Sequence, residues 1–235
     1  MNEPTIAARL AEVRAAIHAA ALTAGRAAAD VTLVAASKAQ PAAAVREAWQ
    51  AGQRDFGENY ADEMVEKMAA LVDCPGIIWH FIGRVQRGNA KSIARADVVH
   101  GVGSRHQAEA VAKARRALER PPLPILLQVN VANEATKNGF DVDDVAAAAR
   151  DIAAIEGVVV AGLMAMPEVP AEQRDEAFAR VRRLRDAVEP SWPMLSMGMS
   201  GDFVEAIAAG ATHVRIGTRI FGPRHASVRV AVEGQ

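Results

Sequence analysis

Very little in this chain is aromatic or sulfur-bearing. One cysteine, Cys74, stands among 235 residues, which excludes an internal disulfide and any site built from several thiolates. A chain of this kind suits a reducing compartment, and a cytoplasmic location is expected. Phe, Trp and Tyr together make up 4% of the residues, so Ala, Val, Ile and Leu must pack the core. A surplus of one charge is missing too. The formal net charge is −1, whereas nucleic acid or an anionic membrane surface normally asks for a basic excess. The local Arg clusters "KARR" and "RVRRLRD" have acids nearby and read as solvated helix faces. No uninterrupted apolar run approaches the roughly 20 residues of a membrane span. The opening stretch carries Glu3, Arg9, Glu12 and Arg14 where a signal peptide would be apolar. Nucleic acid and membrane are therefore not expected partners, and the chain is expected to act as a monomer.

What is present is an alternating rhythm. Ile6, Leu10, Val13 and Ile17 recur at helical spacing, with Asn2 or Thr5 available as a cap. Beyond them, short β-prone runs predict strands over 31–37, 53–56, 77–82, 97–102, 124–130, 157–163, 193–196 and 212–216. Helical patterns fill 41–51, 59–71, 104–118, 141–154, 171–188 and 202–209. Eight β-α units in a chain of this length predict a single (β/α)8 TIM barrel with an additional N-terminal helix. The expected division is helix over 1–30, barrel over 31–222 and a tail over 223–235. A doubly wound open sheet is the rival. It usually shows a Gly-rich turn after its first strand, and "ASKAQP" is not one.

Chemistry in barrels gathers where strands end and βα loops begin. Lys38 follows the first strand, "GENY" (57–60) the second, "SMGMSGD" (196–202) the seventh, and "IGT" (216–218) the eighth. Ser196, Gly198, Ser200 and Gly201 lie where the chain turns from strand to helix, so backbone N–H groups there suit an anion. Gly217 and Thr218 form a second such turn, and barrels commonly lodge phosphate between these two loops. An amine at Lys38, beside the eighth strand in a closed sheet, then points to a phosphorylated aldehyde held as a Schiff base. Pyridoxal 5′-phosphate fits, because it needs an amine, a phosphate cradle and a partner for its ring nitrogen. Arg215 serves either that nitrogen or the phosphate. A sugar phosphate bound through Lys38 is the other substrate class these residues allow.

Other residues read two ways. His80 alternates with Ile78 and Ile82, which makes it either a packed barrel histidine or a cofactor neighbour. Asn59 is a helix cap or a cofactor contact. Met164 packs the interior or lines the pocket. His213 and His225 show no ligand spacing, so no metal is predicted.

The segments "LVAASKAQP", "AGQRDFGENYADEMVEK", "WHFIG", "GLMAM" and "LSMGMSGDFVEAIAAGATHVRIGTRIFG" together resemble the pyridoxal phosphate homeostasis proteins, over residues 5 to 222. The resemblance implies the barrel shared with the N-terminal domain of alanine racemase, which is fold type III among pyridoxal-phosphate proteins. It also implies covalent cofactor binding at Lys38 with the phosphate near Ser200, Gly217 and Thr218. Members buffer or deliver the cofactor, influence vitamin B6 balance and have no established catalytic reaction; apo-enzymes are their implied acceptors. Two loops depart from the family pattern. "GRVQRGNAK" has Gly88 and Asn89 where an Asn-Lys pair is usual, and Gly103 precedes Ser104 where an aspartate is usual.

Two-base racemisation needs an acid/base on each face of the substrate α-carbon. In alanine racemases a tyrosine from an added C-terminal domain supplies the second. Here the sequence stops soon after the eighth strand and holds one tyrosine, Tyr60. A carrier is therefore the expectation, with a racemase-like enzyme as the alternative.

Overall fold

A computed structural model describes residues 4–131 and 138–222. Asn2, His225 and the 223–235 tail lie outside the described residues.

Helix α1 (Ile6–Thr23) starts at Thr5, whose hydroxyl accepts from the Ala8 N–H at 3.2 Å. It buries Leu10, Val13, Ile17, Ala20 and Ala21 against later helices. Arg26 fastens its end by donating to the carbonyls of Ile207 and Ala211, at 2.9 and 2.8 Å.

Eight strands follow: β1 (Thr32–Ala36), β2 (Asp55–Glu58), β3 (Ile78–Phe81), β4 (Val98–Val102), β5 (Leu123–Asn130), β6 (Val158–Ala165), β7 (Met194–Met199) and β8 (His213–Ile216). Each pairs in parallel with its neighbours in chain order, and β8 returns to β1 with Arg215 opposite Val34. The sheet is closed, a (β/α)8 barrel. A two-residue strand, Phe140–Asp141, adds to the end of β5. Between the strands run α2 (Ala42–Gln50), α3 (Ala61–Ala70), α4 (Ala90–Ile93), α5 (Arg105–Ala117), α6 (Val145–Ala153), α7 (Arg174–Val188), α8 (Phe203–Ala208) and α9 (Thr218–Phe221).

The expected strands are all present, with shifted ends. β2 begins two residues later than the pattern 53–56 suggests, because Gly57 and Glu58 read as a turn yet lie in the sheet. Gly57 is closely fitted there: a Cβ would stand 2.9 Å from Ile82 Cδ1 and 3.0 Å from Val34 Cγ1. β6 and β7 run on to Ala165 and Met199.

Apolar side chains fill the layer between strands and helices, with Phe56, Phe81 and Phe178 fully buried. Trp79 joins this layer, so its neighbour His80 faces the barrel interior. Val98, Leu126, Met164 and Met194 form a separate, smaller apolar cluster. Val98 and Met194 share their strand faces with His100 and Ser196, which places this cluster in the interior.

Candidate functional site

The C-terminal end of β1 is held from beneath. Ser37 Oγ donates to Glu58 Oε1 at 2.6 Å, and Lys67 Nζ, on α3, donates to the same oxygen at 2.6 Å. Lys67 also donates to the Ser37 carbonyl at 2.7 Å and to Glu63 Oε1 at 2.8 Å. Glu63 Oε1 accepts in turn from the Ala39 N–H at 2.8 Å. Ala39 has φ +57°, a left-handed conformation that costs an alanine free energy. The carboxylate of Glu63 and the ammonium of Lys67 thus clamp both sides of the turn that displays Lys38. Burial pushes the Glu58 carboxyl above its ordinary range, against the pull of Lys67.

Lys38 lines a cavity of about 260 Å3 at the C-terminal mouth of the barrel. Of the residues expected at the site, Asn59, Ser200, Arg215, Gly217 and Thr218 share that cavity with it. The loops after β7 and β8 meet there, where Thr218 Oγ1 donates to Ser200 Oγ at 3.4 Å. Gly217 is required by close approach: a Cβ would lie 2.8 Å from the Ala36 carbonyl oxygen. Asn59 Oδ1 is buried and has no hydrogen-bond partner. An orphaned acceptor costs free energy unless a donor arrives. Its place beside an amine and two small-residue turns fits a ligand that carries a donor and an anion.

Arg215 reaches the cavity from inside the barrel. Its guanidinium donates to Ser196 Oγ and, at 3.2 Å, to the Ala165 carbonyl. Burial lowers its pKa to about 10, so it stays charged at neutral pH.

His80, Met164 and Ser196 do not line the cavity. Ser196 and His80 sit below Arg215 among buried polar groups, and Met164 packs in the interior apolar cluster. Met166 takes the lining position instead, because β6 extends to Ala165 and moves the rim two residues along. Gln40, Ile82 and Met199 also line the cavity. None of these neutral side chains carries a chemical signature that sequence reading could single out. A larger groove, about 700 Å3, lies outside the barrel between α3, α4 and α5, and none of its lining residues belongs to a strand. Among the described residues no helix is long and apolar enough to cross a membrane.

Residues 12–225 match the family model described as alanine racemase, N-terminal domain. The chain is 47% identical over 223 residues to a pyridoxal phosphate homeostasis protein of Pseudomonas aeruginosa, covering 94% of this chain and 96% of that one. It is 40% identical over 233 residues to the protein of the same name in Escherichia coli K12, covering 95% and 98%. The solved structure of PipY from Synechococcus elongatus with PLP bound is similar, with a TM-score of 0.79 and 34% identity over 93% of this chain and all of that one.

Proposed function

This chain belongs to the family of pyridoxal phosphate homeostasis proteins, built on the alanine racemase N-terminal domain, and we propose that it holds pyridoxal 5′-phosphate covalently through Lys38 and buffers or delivers it in the cytoplasm. One observation carries this reading: Lys38, Ser200, Gly217, Thr218 and Arg215 line a single cavity of about 260 Å3. When bound, the cofactor supplies an aldehyde that condenses with an amine and a phosphate that seeks N–H and O–H donors.

Each of this chain's residues has a task toward that group. Lys38 provides the amine, posed by the Ser37–Glu58–Lys67–Glu63 clamp. The hydroxyls of Ser200 and Thr218, with the turns that bear them, face the phosphate. Asn59 Oδ1 offers its unused lone pairs to a donor on the ligand. Arg215, charged and fixed on two sides, offers its remaining N–H groups to the cavity.

Holding rather than turnover is favoured by what lines the cavity. Among its described lining residues only Lys38 and Arg215 ionise in water, and an arginine is a poor proton shuttle. Lys38 is thus the single acid/base among the described lining residues, where two-base chemistry needs another on the opposite face. Tyr60 is not a lining residue. In this reading the chain acts as a monomer whose partners are the cofactor and acceptor apo-enzymes.

The test is borohydride reduction of the cofactor-loaded protein, followed by peptide mass mapping. The expected result is one modified peptide, at Lys38, and loss of both label and yellow colour in Lys38→Ala. Label at another lysine, or an undiminished yellow band in Lys38→Ala, overturns the assignment.

A further inference from the structure

A line of buried polar groups crosses the barrel interior from its N-terminal mouth to Arg215. Asp55 opens β2 and lines a cavity of about 460 Å3 at that mouth, together with Arg14, His18 and Gln53. Its Oδ1 is 3.0 Å from His80 Nε2; His80 Nδ1 is 2.9 Å from His100 Nε2; His100 Nδ1 is 2.8 Å from Ser196 Oγ. Ser196 Oγ then meets the Arg215 guanidinium. His100 and Ser196 are wholly buried, and His80 is 2% exposed.

The proton positions follow from the ends. An ionised carboxylate only accepts, and a guanidinium only donates. His80 must therefore donate from Nε2 to Asp55. As a neutral ring it then accepts at Nδ1, so His100 donates from Nε2. His100 in turn accepts at Nδ1, and the Ser196 hydroxyl donates to it. The Ser196 lone pairs are left for Arg215. With both rings neutral, every donor finds one acceptor and all bonds run one way. Burial above all, with the neighbouring Arg215 charge, holds His100 well below its ordinary pKa, which keeps it neutral as this pattern requires. His213 stands beside the line rather than in it, with its ring centroid 6.1 Å from those of both His80 and His100. Its Nδ1 is engaged by Thr212 Oγ1 at 2.8 Å. Asp202, at the other end, is the acid that favours the charge on Arg215.

We infer that Asp55, His80, His100 and Ser196 act as one directional hydrogen-bond relay, and are positioning residues that set how Arg215 faces the bound ligand from the opposite end of the barrel. The relay rests on the cofactor reading above. Neutral hydrogen-bond chains polarise along their length, so the Asp55 charge makes Ser196 Oγ a stronger acceptor several groups away. The guanidinium is thereby held with one N–H on Ser196 and one on the Ala165 carbonyl. Its free N–H groups are directed into the cavity.

A double-mutant cycle on the full-length, cofactor-loaded protein tests this. Asp55→Asn, His100→Leu and the pair are compared for the cofactor dissociation constant and for the pH midpoint of the visible absorption band. Asp55→Asn is expected to weaken binding about fivefold, the size of one ordinary hydrogen bond, and to lower the midpoint because a negative charge is lost. In the His100→Leu background the same substitution changes neither quantity, since the line is already cut. A merely structural role for Asp55 lowers melting temperature but leaves the band midpoint alone. An Asp55→Asn effect of equal size in both backgrounds, or no effect in the parent, overturns the relay while parental loading at Lys38 remains intact. A parent that takes up no cofactor overturns both readings. Should His100→Leu fail to fold, Ser196→Ala cuts the line one step higher and replaces it in the cycle.

Discussion

Replacing Lys67 by methionine isolates the contribution of the clamp under Lys38. Methionine keeps most of the lysine's length and volume while deleting the ammonium, so packing changes little. Lys67 and Glu58 have side chains only 5% and 0% exposed, and their atoms approach to 2.6 Å. Without Lys67, Glu58 keeps one donor, the Ser37 hydroxyl, while its Oε2 already has none. Removing one partner of a buried ion pair costs about 3–5 kcal/mol, because the other charge is left in a low dielectric. For a chain of this size that is a fall in melting temperature of about 6–20 °C. The loss has a pH signature. Burial raises the Glu58 carboxyl above the value of 4.5 it has when solvated, and Lys67 opposes that rise. In Lys67→Met the carboxyl therefore rises further. A carboxyl held above its unfolded pKa adds stability that is complete below the unfolded value and is lost as pH climbs through the folded one. The deficit of Lys67→Met relative to the parent is thus widest above neutrality and narrows as pH falls toward 4.5. Adding Glu58→Gln to Lys67→Met restores most of the loss at neutral pH, since the buried charge goes and only the partly exposed Glu63 carboxylate is left without its ammonium. Denaturant titrations followed by tryptophan fluorescence and far-ultraviolet circular dichroism at several pH values measure all of this. A deficit below about 1 kcal/mol, the range of an exposed pair, or one that does not change with pH, refutes the buried clamp.

Two further outcomes follow from single atoms. Asn59→Leu removes a buried oxygen that no protein group satisfies, so melting temperature is held or raised while cofactor affinity falls about tenfold; equal affinity for parent and variant by equilibrium titration counts against Asn59 as a ligand. His213 is lowered to about 4 by burial and by His80. A histidine depressed below its unfolded value of 6.5 contributes stability above that pH and loses it as pH falls through 4, here about 3 kcal/mol. His213→Gln flattens this acid limb in denaturant titrations between pH 7 and 4 (about three pH units), and an unchanged limb removes His213 from the account.

The barrel was legible because alanine-rich stretches and Val/Ile/Leu runs favour different periods. Lys38, Ser200, Gly217 and Thr218 were legible for a different reason: they fall where strands end, and the fold sends those ends to one rim. What stayed hidden needed the ring to be closed. His100 alternates with Val98 and Val102 as any interior residue would, and nothing in that pattern says that Ser196 faces it, 96 positions along the chain. Lys67 has the spacing of an ordinary partly buried helix residue, and only the delayed end of β2 brings Glu58 beneath it. Asp55 reads simply as part of the 53–56 strand pattern. Met164 takes the packing one of its two readings, because β6 runs on to Ala165 and carries the rim to Met166, and alternation does not say where a strand ends.

Barrel interiors are normally filled by branched apolar side chains in layers. This one carries His80, His100, His213, Ser196 and Arg215 in that space, with Val98, Leu126, Met164 and Met194 among its apolar members. Desolvating such groups is unfavourable unless each finds a partner, and the partners restore little beyond break-even. Stability alone therefore gives no reason for them. Their arrangement does. One polar set, anchored by Glu58 and Glu63, ends at the turn bearing Lys38. The other, anchored by Asp55, ends at Arg215. The two share no residue, start from opposite ends of β2, and converge on the same cavity. An amine and a charged donor must hold fixed separation if one small rigid ligand is to touch both, and two stiff polar supports supply that where flexible side chains in a greasy lumen would not.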